Sequence, residues 1–212
     1  MSILNDEAIR KLALDHGMLT PFIGQSVSAV TAVDGSVRKV LSYGLSSFGY
    51  DLRLAGFRFT SGAQSGGLFE YLTPGETGAL DPKGQEDLRQ VDLLLQTTDD
   101  KLSCYWELPA NSWALGVSME RICMPSDVMA ICTGKSSYAR CGVFCNVTPV
   151  EPGWEGFLTI EVANLGRHPV RIWANEGIVQ LVFFQGERAK VSYRDRGGKY
   201  QNQPRKPVPA FT

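Results

Sequence analysis

The sequence predicts a mainly β protein, a distorted β-barrel or jelly roll with a short N-terminal helix. Three observations carry this. From Met18 onward, short apolar runs recur between turn words such as Pro109-Ala110-Asn111, Pro125-Ser126-Asp127, Glu151-Pro152-Gly153 and Asn175-Glu176-Gly177. No helical pattern interleaves them, which argues against a parallel α/β sheet. A length of 212 residues, with no internal repeat or domain-splitting linker, suits one domain over 1–212.

In chain order, Asn5 is an N-cap candidate, Asp6 and Glu7 suit a helix dipole, and Ile9, Leu12 and His16 share a face. Gly17 is a stop, so a helix is expected from about Asp6 to His16. Val37 to Tyr43 and Tyr50 to Thr60 read as strands, the second through Leu52, Leu54, Phe57 and Phe59 with an irregularity at Gly56. Ser61 to Gly84 is rich in Gly, Ser, Thr and Pro and reads as an excursion with little regular structure, inside a variable stretch at about 61–100. Val91 to Leu95 could be a strand, and Thr97 to Lys101 a polar turn. Further strands are expected at Ser103 to Leu108, Ser112 to Met119, Val128 to Cys132, Val143 to Val147, Phe157 to Asn164, Val170 to Trp173 and Ile178 to Phe184. From about Tyr193 the chain turns polar and proline-studded, a flexible tail that frays or orders on a ligand or neighbour.

Charge excludes some partners. Lys+Arg 21 against Asp+Glu 22 leaves −1, no basic field for nucleic acid, so an anionic ligand must be small and met locally. No apolar run approaches the about 20 residues of a membrane span, and the N-terminus lacks a signal-peptide pattern, so a cytoplasmic address is expected. The cysteines, Cys104, Cys123, Cys132, Cys141 and Cys145, are odd in number and scattered, which fits reduced, buried thiols. With CxxxC rather than CxxC, and only His16 and His168, no zinc site is expected.

Two stretches carry chemistry. Gly134 to Gly142 sets Lys135, Ser136, Ser137 and Arg140 in one short turn, with Ser136 and Arg140 four apart and on the same side. Hydroxyls, free N–H groups and a Lys could cradle phosphate, although GxxxxGK[ST] is absent; the alternative is a surface turn of ordinary polar residues. In Phe157 to Asn164 the strand alternates, with Glu161 beside Thr159 and Ala163 on one face. Glu161 either meets solvent or lines a cavity, where desolvation would raise its pKa and suit it to move protons. Gln180 is a second polar residue inside an apolar run. Trp154 reads as a hairpin anchor, and Trp106, Trp113 and Trp173 as core or subunit contact.

Gly134 to Gly142, Asn146 to Gly156, Thr159 to Glu161, Ala174 to Gln180, Asp195 to Gln201, Asp15 to Phe22 and Ser42 to Asp51 together resemble the bacterial dCTP deaminases. The resemblance implies a fold similar to the trimeric dUTP pyrophosphatases and a homotrimer with shared active sites. It implies hydrolysis of dCTP to dUTP and ammonia, Mg2+ on the triphosphate, and dTTP as a possible inhibitor. Glu161 matches the catalytic glutamate; Ser136 and Arg140 match residues lent by a neighbouring subunit to hold the water and support the base. Lys135, Ser137, Arg140, Gln180, Tyr193, Lys199 and Gln203 match positions that bind the triphosphate or close the tail over it. Tyr138 and Ala139 fall in the same binding turn, Thr159 and Ile160 lie beside the base, and Glu151 lies near the deoxyribose.

Zinc deaminases carry H-x-E and P-C-x-x-C; here both are missing, so if the chain deaminates, as the resemblance implies, a carboxylate must activate water without zinc. An Asp in the hairpin is associated with pyrophosphatase activity in relatives, and Glu151 there favours deamination alone. A bifunctional enzyme giving dUMP, or a non-catalytic nucleotide-binding trimer, are the alternatives.

Overall fold

A computed structural model describes residues 2–32, 34–56, 70–74, 88–100 and 102–208. Its one long helix, α1 (Asp6–His16), follows from local signals: the Asn5 side chain accepts from the Ala8 N–H at 3.0 Å, and Gly17 caps the end at φ 65°. Ile9 and Ala13 are its buried residues. His16, in the last turn, is exposed.

The strands are β1 (Ser2–Ile3), β2 (Leu19–Thr20), β3 (Val27–Thr31), β4 (Val37–Ser46), β5 (Gly49–Arg53), β6 (Glu70–Pro74), β7 (Leu88–Asp92) and β8 (Gln96–Thr97). They continue as β9 (Cys104–Leu108), β10 (Ser112–Cys123), β11 (Val128–Gly134), β12 (Val143–Asn146), β13 (Glu155–Asn164), β14 (Val170–Trp173) and β15 (Gly177–Gln185). One sheet runs β1-β15-β5-β4-β3 with β11 also on β15, a second runs β12-β13-β10-β6-β7 with β2 on β10, and a small third runs β14-β9-β8. Every pairing between these strands is antiparallel, which bears out the reading against a βαβ architecture. The turn words act as expected: Asn111 and Asn175 take positive φ, a conformation Asn tolerates better than most residues.

The core lies between the sheets and contains the fully buried Trp106, Tyr50, Phe183 and Leu54. A buried ion pair ties the sheets together. Glu120 on β10 accepts from Arg53 Nε at 2.7 Å through one oxygen and from the Arg53 backbone N–H at 3.0 Å through the other. Burial is the main influence on Glu120 and pushes its pKa up, with Arg53 pulling the other way.

Two strand expectations need correction. β5 ends at Arg53 rather than running on through Gly56, and the expected positions Phe57 and Phe59 lie outside the described residues. Within the excursion, β6 pairs with β7 and with β10, so this stretch is not without regular structure. Ladder hydrogen bonds from a neighbouring strand order a segment whose Gly, Ser and Pro content signals only turns. All five cysteines are free; Cys145 is buried and Cys141 exposed, so the expectation of uniformly buried thiols is too broad. Among the described residues no helix is long and apolar enough to cross a membrane.

Candidate active site

Glu161 sits at the centre of β13, between Leu115 on β10 and Asn146 on β12 in register. Strand alternation sends Ile160 into the core, where it is fully buried, and turns Thr159 and Glu161 to the other face. That face floors a cavity of about 520 Å3. Its floor includes Leu115, Thr159 and Glu161; the hairpin adds Val150 and Glu151, and the C-terminal segment adds Tyr193 and Gln203. The sequence leaves open whether Glu161 meets solvent or a cavity, and the structure gives the cavity.

The carboxylate is held in an unusual state. Glu161 Oε2 is buried and has no hydrogen-bond partner among the described residues. Desolvation is the leading cause that raises its pKa above the ordinary carboxylate value. No Lys or Arg is among the described residues lining the cavity, so no described wall residue neutralises the charge there. Burial also keeps the neighbouring thiols protonated: Cys145 is pushed up to about 12 and Cys132 is raised further, and the Glu161 charge disfavours both thiolates as well.

The hairpin is pinned where it meets the cavity. Val150 bridges Ala130 through N–H···O bonds of 2.8 and 2.9 Å, and Gly153 turns at φ 78°. The C-terminal segment then folds back on the same wall. Tyr193 N–H donates to Pro152 O at 2.9 Å, Trp154 Nε1 to Tyr200 O at 2.8 Å, and Phe157 N–H to Gln203 O at 3.1 Å. Gly156 and Gln203 form a parallel bridge, and a Cβ at Gly156 would stand only 2.6 Å from Gln203 N. Glycine there is what lets the segment come so close. Val208 N–H donates to Thr159 Oγ1 at 3.2 Å, and Glu151 is paired with Arg196. Lys199 lies over the Tyr200 ring at 5.3 Å and is not part of the cavity wall.

The second chemical stretch stands apart. α2 (Ser136–Ala139) is one turn, with Arg140 N–H donating to Ser136 O at 3.0 Å and Gly142 following at φ 79°. Ser136, Ser137, Ala139 and Arg140 are exposed. Tyr138 is buried, and its hydroxyl accepts from Trp173 N–H at 2.9 Å, so its side chain anchors the turn from below. Lys135 Nζ reaches Asp51 at 2.6 Å and Ser42 at 3.1 Å, and Gln180 pairs with Asp51 across β15 and β5. Within one chain, then, Glu161, Glu151, Thr159, Tyr193 and Gln203 come together, and Lys135 and Gln180 form another cluster. None of Ser136, Ser137 and Arg140 lines the Glu161 cavity.

Three wall residues escape a reading of the sequence. Trp113, expected in the core or at a subunit contact, lines the cavity one step along β10 from Leu115, and Trp154 is both anchor and wall. Tyr200 joins them from the C-terminal segment. The alternation of β10 could have found Trp113, since Trp113 and Leu115 share the face that pairs with Ala163 and Glu161. Among the described residues, no group of three or more His, Cys, Asp and Glu side chains is arranged to hold a metal ion.

Comparison with known proteins gives a consistent result. A family model described as dCTP deaminase-like matches residues 3–186. The chain is 42% identical over 204 residues to a dCTP deaminase of Ectopseudomonas mendocina, covering 96% of both chains. It is likewise 42% identical to a dCTP deaminase of Helicobacter pylori strain P12, covering 96% of this chain and 95% of that one. Its fold is similar to a crystal structure of 2'-deoxycytidine 5'-triphosphate deaminase from Agrobacterium tumefaciens, with TM-score 0.51 and 23% identity over 87% of this chain, which spans 48% of that longer one. The sequence match extends across the strands that build the Glu161 cavity and the turn that carries Ser136 and Arg140, and the chain belongs to the dCTP deaminase family.

Proposed function

We propose that this protein hydrolyses dCTP to dUTP and ammonia, with Glu161 as general base and with Ser136 and Arg140 supplied to each cavity by a neighbouring copy in a homotrimer. The observation that carries this is Glu161 itself, a half-buried carboxylate with one buried, orphan oxygen and no cation on its described cavity wall. Such a group costs stability and is retained where proton transfer needs a base of raised pKa. The ionised carboxylate takes a proton from water as the water oxygen attacks C4 of the cytosine ring. It then passes that proton to the ring nitrogen, the C4 hydroxyl gives its remaining proton to the exocyclic amine by way of the carboxylate, and the amine leaves as ammonia while the C4 oxygen becomes the carbonyl of uracil. Arg140 and Ser136, exposed and uncommitted to the cavity of their own chain, are suited to hold that water and the developing charge across a subunit contact.

Mg2+ enters as part of the substrate, carried by the triphosphate. Lys135, Ser137 and Gln180 would meet the phosphates, with Tyr193, Lys199 and Gln203 closing the C-terminal segment over them; the side chains of Thr159 and Glu151 and the backbone of Tyr138, Ala139 and Ile160 frame the nucleoside. The Glu151–Arg196 pair engages the hairpin carboxylate and favours a reaction that ends at dUTP rather than dUMP. dTTP, with a related base and the same triphosphate, would compete for the site. Five unpaired cysteines suit the reducing cytoplasm, where the substrate pool lies.

Chromatography of products after incubation with Mg2+ and dCTP tests this at once. Equimolar dUTP and ammonia are expected. A dUMP and pyrophosphate product would favour the bifunctional enzyme, and tight dCTP binding without turnover would favour a binding protein.

A further inference from the structure

We propose that Asp51 is a positioning residue for triphosphate binding, acting through Lys135; the proposal rests on the deaminase reading and deepens it. Asp51 lies in the middle of β5, a strand hydrogen-bonded on both sides by β4 and β15. Tyr50 and Leu52 are fully buried in the core, and alternation turns Asp51 to the opposite face. Its partners in register are Gly44 on β4 and Gln180 on β15, neither of them a cation, so a counter-charge must come from outside these strands. Lys135 supplies it.

Donor arithmetic gives the pair its meaning. An ammonium has three N–H donors. One goes to Asp51 Oδ2 at 2.6 Å and one to Ser42 Oγ at 3.1 Å, which leaves one for a ligand. The Lys135 side chain is only 12% exposed. An ammonium so withdrawn from water needs a compensating charge, and removing Asp51 would leave it to swing out on its flexible stem. Two fixed bonds therefore set where the third N–H points.

The molecule holds a useful contrast. In the structural Arg53–Glu120 pair both carboxylate oxygens are satisfied. In Asp51 the second oxygen, Oδ1, is buried with no hydrogen-bond partner among the described residues. What a phosphate oxygen can meet is the N–H that Lys135 has left over, while the bare Asp51 oxygen, an acceptor, is open to water.

The test is a cycle of full-length variants: Asp51→Asn, Ser42→Ala, Lys135→Met, and each of the first two combined with Lys135→Met. KM and kcat for Mg2+–dCTP and calorimetric binding of Mg2+–triphosphate without nucleoside are the readouts. Asp51→Asn should raise KM about tenfold and weaken triphosphate binding similarly, with kcat much less affected. Ser42→Ala should do the same by about threefold, and it carries the test if Asp51→Asn does not fold. In the Lys135→Met background neither change should cost anything further. Equal costs with and without Lys135, or an unchanged KM in Asp51→Asn or Lys135→Met, would overturn the proposal. Absence of ammonia from the parent protein would defeat the deaminase reading alone, since triphosphate binding still reports on the pair.

Discussion

Glu161→Gln should bind dCTP and release ammonia more slowly by on the order of 10² to 10⁴, the contribution of a positioned general base. The amide keeps the shape of the carboxylate and loses the ability to take a proton from water. The same substitution should stabilise the fold, and the sign follows from burial. Desolvation raises the pKa of Glu161 in the folded chain above its ordinary value of 4.5. Below that value folded and unfolded chains both hold the proton, and its contribution to stability is fully present. As pH rises through the raised folded value, that contribution is lost, because an ionised carboxylate with a bare oxygen must stay buried. Glutamine avoids this, so the gain in Tm over the parent should be larger at pH 8 than at pH 5. Activity in the parent should follow the opposite course, falling in acid as the base takes up its proton, and an arginine brought in by a neighbouring copy would move that fall to lower pH. Ammonia assays and thermal melts across pH check both; a variant with parental turnover would defeat the role of Glu161.

Arg53→Ala should cost about 3–5 kcal/mol, the loss expected when one partner of a buried pair is removed. Its partner Glu120 is fully buried, and with the guanidinium gone it would keep the Arg53 backbone N–H bond and the charge of Arg205. The consequence reaches the site, because β5 carries Asp51 and β10 carries Trp113 and Leu115, so the pair clamps one cluster to the other. The guanidinium lowers a pKa that burial raises, so its removal sends Glu120 further up. The destabilisation should therefore be greatest above neutral pH and smaller in acid, where the lone carboxylate takes up a proton. Adding Glu120→Gln should recover part of the loss. Urea titrations of the single and double variants measure the cycle, and a cost under about 1 kcal/mol for Arg53→Ala would show that the pair is dispensable.

Local signals are legible in the sequence and distant ones are not. Asn5 and Gly17 set the helix limits from within a few residues, and the period-two alternation of β13 alone separates Glu161 from Ile160. β6 is hidden because its order comes from β7 and β10 rather than from its own residues. The Asp51–Lys135 contact joins positions 84 apart in sequence, and nothing in a strand Gly-Tyr-Asp-Leu-Arg names its partner. The same holds for the return of the C-terminal segment: its composition signals little order, yet backbone groups of β13 and a bare Gly156 receive it. The division of the site into a carboxylate cavity and a separate cationic turn is a property of the folded chain. The resemblance already implies that split, with Ser136 and Arg140 lent by a neighbour, although the three residues lie close together in linear order.

Complementation between two inactive chains tests that division most directly. Glu161→Gln and Arg140→Ala chains, differently tagged and co-expressed, can be purified as mixed assemblies. In a mixed trimer one contact joins an intact Glu161 to an intact neighbouring Arg140, so about a third of the parental activity should return while each variant alone stays inactive. Mixed assemblies as inactive as their parents would contradict a site shared between subunits.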